Sequence, residues 1–405
     1  MTRSATKKNP GAAGKDISKI AALIACASAL QVAETFIPHP VPGMRLGLAN
    51  IMVLIALFSL GPRAAIEVAV IRTIVSSLLL GTFLSPSFII SFSASLISSV
   101  FMSILYKIFT ERRAVLLGIT GISIAGAFIH NFTQLAIVYL LFIKSGGIFL
   151  LLPFLGISAV VTGFITSAGA VYVLKKMGGR SALKKKDTVD KKSRRKKKTG
   201  HAPKPAEYRE ALKNAGKIII LICAASAAVI FEDIRVYAGL LVLSVVFAGI
   251  LRVNIFKVLK TLTRLYWLII FAFIMPFLFY AGGKILFSAG PLNITSGGAE
   301  AGLIFSVRIA IIMLFSAAIA ESAAKEGIAA GIKVIIFPMK FAGVRVNRVS
   351  ELIGSTMVLA PVFIEKAGKF LREYRYKKNK LMEIIPVLGE MIIMLYYYGD
   401  KGARK

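Results

Sequence analysis

A basic and almost wholly polar run, residues 175–209, divides this sequence into two regions dominated by long apolar segments. It reads KKMGGRSALKKKDTVDKKSRRKKKTGHAPKPAEYR and contains almost nothing that folding could bury. Because such a segment cannot offset the entropy lost on ordering, we expect a solvated, flexible tether between two membrane-embedded halves. A nucleic-acid-binding basic patch is the alternative interpretation. The bilayer-length apolar segments on both sides favour the tether.

The composition indicates a polytopic membrane protein. Of 405 residues, 57% are hydrophobic and 17% are charged, whereas a soluble protein has about 25% charged residues. With a mean hydropathy of +0.76 and repeated apolar runs of about 20 residues, the chain predicts an all-α bundle of membrane-spanning helices. The net charge of +32 comes from Lys and Arg in the termini, the tether and short loops, as expected of cytoplasmic segments.

The region before the tether predicts about six spans with both ends cytoplasmic. These are expected at Ile17–Ile37, a helix ending near Leu60, Ala64–Phe83, Phe88–Phe109, Val115–Ile143 and Ile148–Leu174. This topology leaves Arg45 as the basic residue on the outer side. The first helix carries small residues at a strict four-residue spacing: Ala21, Ala25, Ala29 and Ala33. Such a stripe suits either packing within the bundle or docking of a partner helix.

The region after the tether has a different pattern. Spans are expected near Lys217–Phe231, Val236–Leu251, Leu265–Tyr280 and Leu303–Ala320. The stretch Arg252–Arg264 is amphipathic and basic, as at a membrane interface, and Gly282–Gly302 is expected to be an outer loop. From Glu321 onward, amphipathic helices are expected on the cytoplasmic side. The apolar patch Ile384–Tyr398 fits either a short span or another surface helix.

Ionisable residues inside spans are costly and are therefore functional candidates. In the first half these are Glu34, Arg45, Glu67, Arg72 and His130, with Asn50, Asn131 and Gln134 as polar companions. His130 and Gln134 share one helix face, and glycines beside Arg45 let the backbone approach a ligand. Arginine, amide and imidazole groups together suit an anionic or carbonyl-rich small molecule. The alternative is that Glu67 and Arg72, or Glu34 and an arginine, only neutralise each other.

Several chemistries have no basis in the sequence. There is no G-x-x-x-x-G-K-[ST] motif for ATP hydrolysis, and no pair of aspartates in a span for magnesium–diphosphate chemistry. Three scattered histidines give no metal site, and Cys26 and Cys223 give neither a disulfide framework nor a zinc spacing. We therefore expect a protein that is not an enzyme and carries no cofactor of its own.

Three motifs in the first half carry a family resemblance. The segments PGMRLGLANIMVLIALF, the Arg72 helix ending in Leu80-Gly81-Thr82, and GISIAGAFIHNFTQLAIV resemble the heptaprenyl diphosphate synthase component I family, also described as the Gx transporter family. That family is similar to substrate-binding (S) components of energy-coupling factor (ECF) transporters. The resemblance implies an S-like domain at 1–178 and a substrate site formed by Arg45, Asn50, Arg72, His130, Asn131 and Gln134. It also implies that the alanine stripe docks onto a transmembrane (T) component.

The second half, through FAGVRVNRVSELIGSTMVLAPVFIEKAGKFLREYR, resembles the T component of ECF transporters, the CbiQ-like family. The resemblance implies a linker at 179–210, a T-like domain at 211–405, and contact with two ATPase subunits that supply the use of ATP. The family's Ala-Arg-Gly coupling signatures are not cleanly present, and Arg372 and Arg375 are the nearest candidates for them.

Together these resemblances imply the membrane part of an ECF-type importer in the cytoplasmic membrane. Its expected partners are ECF-type ATPases, a small vitamin or an isoprenoid- or quinone-related precursor, and the lipid bilayer, but no nucleic acid. Two alternatives stay open: a membrane accessory subunit of a polyprenyl diphosphate synthase, and a structural partner of quinone or electron-transfer machinery. A tether of about 30 residues spans roughly 30 Å and predicts an S-like half dedicated to its own T-like half.

Overall fold

The structure is a computed structural model. It describes residues 10–35, 47–111, 118–140, 146–184, 205–375 apart from 232, 265, 281, 290, 291, 323, 324 and 342, and residues 386, 389–394 and 396. These residues are overwhelmingly helical, which confirms the predicted all-α class. In the first half the helices are α1 (Pro10–Thr35), α2 (Leu48–Leu60), α3 (Pro62–Leu80), α4 (Pro86–Glu111), α5 (Ile119–Val138) and α6 (Leu152–Lys184).

Among its described residues, the second half contains seven long helices and one hairpin, besides a short 3-10 helix, Phe337–Lys340, and further helical residues at 389–394. The helices are α7 (Pro205–Ile230), α8 (Ile234–Ile250), α9 (Ile255–Arg264), α10 (Tyr266–Phe279), α11 (Ser296–Ser322), α12 (Lys325–Ile335) and α13 (Val346–Arg375). Strands β1 (Ile285–Ala289) and β2 (Leu292–Thr295) pair antiparallel. The run expected to be an outer loop, Gly282–Gly302, therefore contains this hairpin and the first turns of α11.

Six helices among the described residues are long and apolar enough to cross a membrane: α1, α4, α5, α6, α7 and α11. The pair α9–α10, bent by 47°, could act as a seventh. The predicted spans that became α2 and α8 have only 13 and 17 residues, and a helix needs about 20 residues to cross the hydrocarbon core. The chain is thus a multi-pass membrane protein, as predicted.

Local sequence sets both ends of α3. Pro62 occupies its first turn, where a missing N–H costs nothing. Gly81 ends it with φ +68°, a left-handed conformation that glycine adopts without strain. The amide of Thr82 then donates to the carbonyl of Ser77 over 2.8 Å. These caps fix the length of the helix that carries Glu67 and Arg72.

Both ends of the predicted linker are helical. Helix α6 continues to Lys184 and α7 begins at Pro205, so residues 179–184 and 205–210 extend the helices of the two halves. The rest of the predicted tether lies outside the described residues. Helix α5 covers Ile119–Val138 of the predicted span Val115–Ile143, and residues 115–117 and 141–143 lie outside the described residues.

The two halves share one apolar core. Helix α1 packs along α13, and α3 contacts both α13 and α11. Leu23 of α1, Phe315 of α11 and Leu352 of α13 belong to the same cluster of buried side chains. The halves are therefore packed against each other as well as joined by the chain.

Candidate functional site

Arg72 lies near the middle of α3, is 5% exposed and donates to three side-chain oxygens. Its Nη1 lies 3.0 Å from Oε1 of Gln31 on α1. Its Nη2 lies 2.7 Å from Oδ1 of Asn50 on α2 and 3.2 Å from Oγ of Ser95 on α4. A buried guanidinium is tolerated only where such acceptors replace water. Arg72 thus joins four helices of the first half.

Glu34 is buried near the end of α1 and supports the start of α2. Its Oε1 accepts a 2.6 Å hydrogen bond from the backbone amide of Gly47, the residue before α2. Gly47 has φ +73°, which favours glycine. A carboxylate at a helix start pairs with the free amides and the positive end of the helix dipole. Glu34 therefore positions the first turn of α2, which carries Asn50.

Four of the predicted site residues line one cleft between α2, α4, α5 and α6: Asn50, His130, Asn131 and Gln134. The space between its walls, including open solvent at its mouth, is about 470 Å³. The other lining residues are small, polar or apolar: Gly47, Leu54, Ser98, Met102, Ser123, Gly126, Ala127, Thr162 and Thr166.

The cleft offers hydrogen bonds rather than charge. Among the described lining residues, the imidazole of His130 is the only ionisable group. Arg72 does not line the cleft. It acts on the cleft through Asn50, because it donates to Oδ1 and so fixes which end of that amide is the acceptor. The geometry therefore suits an uncharged ligand rich in carbonyl and N–H groups better than a bare anion.

Asn131 has a structural partner as well as a place in the cleft. Its Nδ2 donates to the carbonyl of Leu155 over 3.0 Å and to Oγ of Ser158 over 3.1 Å. It therefore fastens α5 to α6. Gln134, one turn further along α5, lines the cleft on the same side as His130.

Arg45 and Glu67 are the remaining ionisable candidates. Arg45, with its neighbouring Gly43, lies outside the described residues. Glu67 is an ion-pair partner of Arg348 on α13 and of Arg63 on its own helix. The interpretation that Glu67 neutralises Arg72 is thus wrong: its carboxylate contacts the second half of the chain instead.

The predicted docking stripe divides into two parts. Ala21, Ala25 and Ala29 are buried in the helix that packs along α13, whereas Ala33 is exposed. Of the predicted coupling residues, Arg375 ends α13 and Arg372 lies in its last turn; their side chains are outside the described residues.

The apolar patch predicted at Ile384–Tyr398 contacts the first half where the structure describes it. Tyr172 on α6 donates from its hydroxyl to Oε1 of Glu390 over 3.1 Å, and Lys176 forms an ion pair with the same carboxylate. Met391 and Ile393 are buried in the shared core. The described part of the patch therefore packs against α6.

Sequence reasoning missed the partners of the charged residues. Gln31 and Ser95 hold Arg72, and Arg348 holds Glu67. Gln31 carried a usable signal, because an amide inside a predicted span needs a buried partner. Among the described residues, no cluster of His, Cys, Asp and Glu could hold a metal ion.

A second, hydroxyl-rich cleft lies where α1, α3 and α4 meet. Gln31, Thr73, Ser77 and Ser91 line it, and Leu268 of the second half forms part of its wall. The hydroxyls of Thr73 and Ser77 already donate to backbone carbonyls of their own helix. This cleft lies at the boundary between the two halves.

Comparison with known proteins gives two different matches for the two halves. The family model for heptaprenyl diphosphate synthase component I matches residues 23–173. The C-terminal part is similar to transmembrane proteins of ECF transporters. The two-part resemblance inferred from the sequence is therefore confirmed.

Three relatives illustrate the second match. EcfT 1 of Listeria monocytogenes is 27% identical over 143 residues, 34% of this chain and 54% of that protein. EcfT of Leuconostoc gelidum is 28% identical over 110 residues, 27% of this chain and 41% of that protein. EcfT of Bacillus subtilis is 19% identical over 188 residues, 44% of this chain and 70% of that protein. The chain spans about half the length of the first two relatives, and all three are named as transporter membrane proteins, not enzymes.

Proposed function

We propose that this chain is the membrane part of an ECF-type importer, with an S-like half that binds a small molecule and a T-like half that couples it to ATPases supplied in trans. The two-part resemblance supports this proposal. The second half is similar to ECF transmembrane proteins, and the family that matches the first half resembles the S components of such transporters. ATP would be used by the partner subunits, and the chain itself would lie in the cytoplasmic membrane.

The observation that carries the proposal is the way α3 lies on the second half. Near its start, Glu67 contacts Arg348 of α13. Fourteen residues on, about 21 Å along the helix, a Cβ on Gly81 would lie 3.1 Å from Cα of Ala317 and 3.3 Å from Cγ2 of Thr261. Ala317 is near the end of α11, and Thr261 is in the amphipathic α9.

Both ends of α3 thus meet elements that the charge pattern assigns to one side of the membrane. If α3 stood parallel to α11 across the bilayer, its ends would meet opposite ends of the second half. The contacts therefore support an S-like half that lies across the inner side of the T-like half. An importer captures its cargo outside and releases it inside, so its S-like half has to turn between an outward-facing position and this inner one.

The cleft supports the choice of cargo. Asn50, His130 and Gln134 offer amide and imidazole groups in a site with apolar walls, which fits a vitamin or an isoprenoid- or quinone-related precursor with carbonyl or ring N–H groups. Docking of α1 along α13 supports the roles inferred for the alanine stripe and for the long helices of the second half.

The test is capture of the ATPases together with transport. The full chain, purified from its host after crosslinking, should recover proteins with Walker motifs, and vesicles containing the assembly should accumulate the copurifying small molecule only when ATP is supplied. Recovery of no ATPase under crosslinking, or accumulation that is indifferent to ATP, would contradict the proposal.

One alternative has its own observation, namely the description of the family that matches residues 23–173. In that case the chain would be a non-catalytic membrane subunit of a heptaprenyl diphosphate synthase. Prenyl transfer measured with and without the chain decides between the two: a rate that depends on the chain favours the synthase, and an unchanged rate eliminates it.

A further inference from the structure

The two halves share an apolar core. Helix α1, in which Ala21, Ala25 and Ala29 are buried, packs along α13, which carries buried side chains of mixed size: Leu352, Ile353, Met357, Ala360 and Phe363. Apolar burial is non-directional, and small-residue helix faces accept neighbouring registers and different partners. Such a surface holds the halves together but specifies poorly which partner binds and in which register.

A bidentate ion pair adds direction to this contact, in addition to the more exposed pair of Lys176 and Glu390. Nε of Arg348 lies 2.8 Å from Oε1 of Glu67, and Nη2 lies 2.9 Å from Oε2. The side chains are 21% and 16% exposed. The planar guanidinium fork matches a carboxylate in one relative orientation only. The pair joins α3 of the first half to the start of α13.

Displacement of the halves by one helical turn, about 5.4 Å, would separate these two groups. Glu67 would then keep only Arg63 of its own helix, 3.7 Å away, and both groups would lose their bidentate pair within a largely buried contact. Breaking a mostly buried pair in this way is far more costly than losing an exposed one. Association with a partner that lacks the matching charge would carry the same cost. Unpaired charges of this kind discriminate against wrong partners.

We infer that Glu67 and Arg348 form the recognition element by which the two halves of this chain select each other and fix their register. This inference goes beyond transport and does not depend on it, because it concerns association of the halves alone. It gives a physical basis for an S-like half dedicated to its own T-like half.

The experiment measures how fast the halves separate. A protease site is placed between residues 185 and 204 of the full chain, the purified protein is cut in detergent, and the second half is held by a C-terminal tag while release of the first half is followed. Glu67→Arg and Arg348→Glu should each speed release by about tenfold or more. The combined Glu67→Arg/Arg348→Glu variant should return to within about threefold of the native rate.

Two further variants control the experiment. Reversing Glu365 and Lys369, an exposed pair on α13, should leave the rate unchanged. Glu67→Gln keeps the shape without the charge and gives a measurement if a charge reversal prevents folding; it should also release faster. Native release rates in the single variants, or no recovery in the combined variant, would overturn the inference. The assay needs neither ATPase nor substrate, so its failure is distinct from failure of the proposed function.

Discussion

Nη2 of Arg72 on α3 lies 2.7 Å from Oδ1 of Asn50 on α2, so a buried charge and a residue of the cleft form one unit. Arg72 thus lies behind the candidate cleft, held by side chains of three other helices.

Replacement of Arg72 by Ala would leave its acceptors on Gln31, Asn50 and Ser95 without their donor. We expect the free energy of unfolding to fall by about 2–4 kcal/mol and copurification of the small molecule to be lost, as measured by thermal stability in detergent and native mass spectrometry. Lys107→Gln, at an exposed position of α4, is the control. Retention of the small molecule by Arg72→Ala would rule out this role.

Gln134 and Asn131 should respond differently to Ala. Gln134→Ala removes a cleft amide and should weaken small-molecule retention while thermal stability stays unchanged. Asn131→Ala removes the bonds to Leu155 and Ser158 and should lower the unfolding free energy by about 1–2 kcal/mol. The two variants are compared by retention and by thermal melting. Equal loss of stability in both would contradict the division of roles.

Gly163 should be intolerant of a methyl group. A Cβ there would lie 2.6 Å from Cα of Ile124 on α5, whereas a Cβ on Gly156 of the same helix would meet only Cε2 of Phe128 at 3.8 Å. Gly163→Ala should therefore push α5 from α6 and lower the unfolding free energy by about 1–3 kcal/mol. Gly156→Ala, the matched control, should be neutral or stabilising, since Ala favours helix. Thermal melting in detergent distinguishes them.

The alanine stripe gives a test within one helix. Ala25→Leu overpacks a fully buried position of α1 and should lower the unfolding free energy by about 1–3 kcal/mol. It should also speed separation of the halves after cleavage between them. Ala33→Leu, at the exposed end of the stripe, should change neither quantity. An Ala25→Leu protein with native stability and a native release rate would show that the larger side chain fits at this position without strain.

Arg372 and Arg375 should matter for coupling but not for folding. If the end of α13 contacts an ATPase, Arg372→Ala and Arg375→Ala should reduce ATPase capture by crosslinking and leave small-molecule retention intact. Lys369→Ala is the control, because this exposed residue pairs with Glu365 on the same helix. If the combined Arg372→Ala/Arg375→Ala variant captures as much ATPase as the native protein, the contact lies elsewhere on the second half.

Much of the architecture follows from local sequence. Apolar runs of bilayer length predict spans, and polar residues within them, such as Asn50 and His130, mark the cleft, because hydrophobicity and its interruption are properties of a single segment. The ends of α3 also follow from local sequence, since Pro62 favours a helix start and Gly81 a helix end through their own backbone conformations. The hairpin β1–β2 was missed, because Gly- and Ser-rich composition alone does not distinguish a loop from two short strands.

What the tertiary structure alone decided is which charge meets which. Glu67 lies five residues from Arg72 along the sequence, yet its partner Arg348 is 281 residues away. Helical spacing restricts neighbours within one helix, but the choice of partner across helices depends on how all of them pack. The same packing placed Arg72 behind the cleft instead of in it. The sequence thus determined that this chain builds helices for a membrane and carries buried charges, and packing between the helices determined which partners those charges meet.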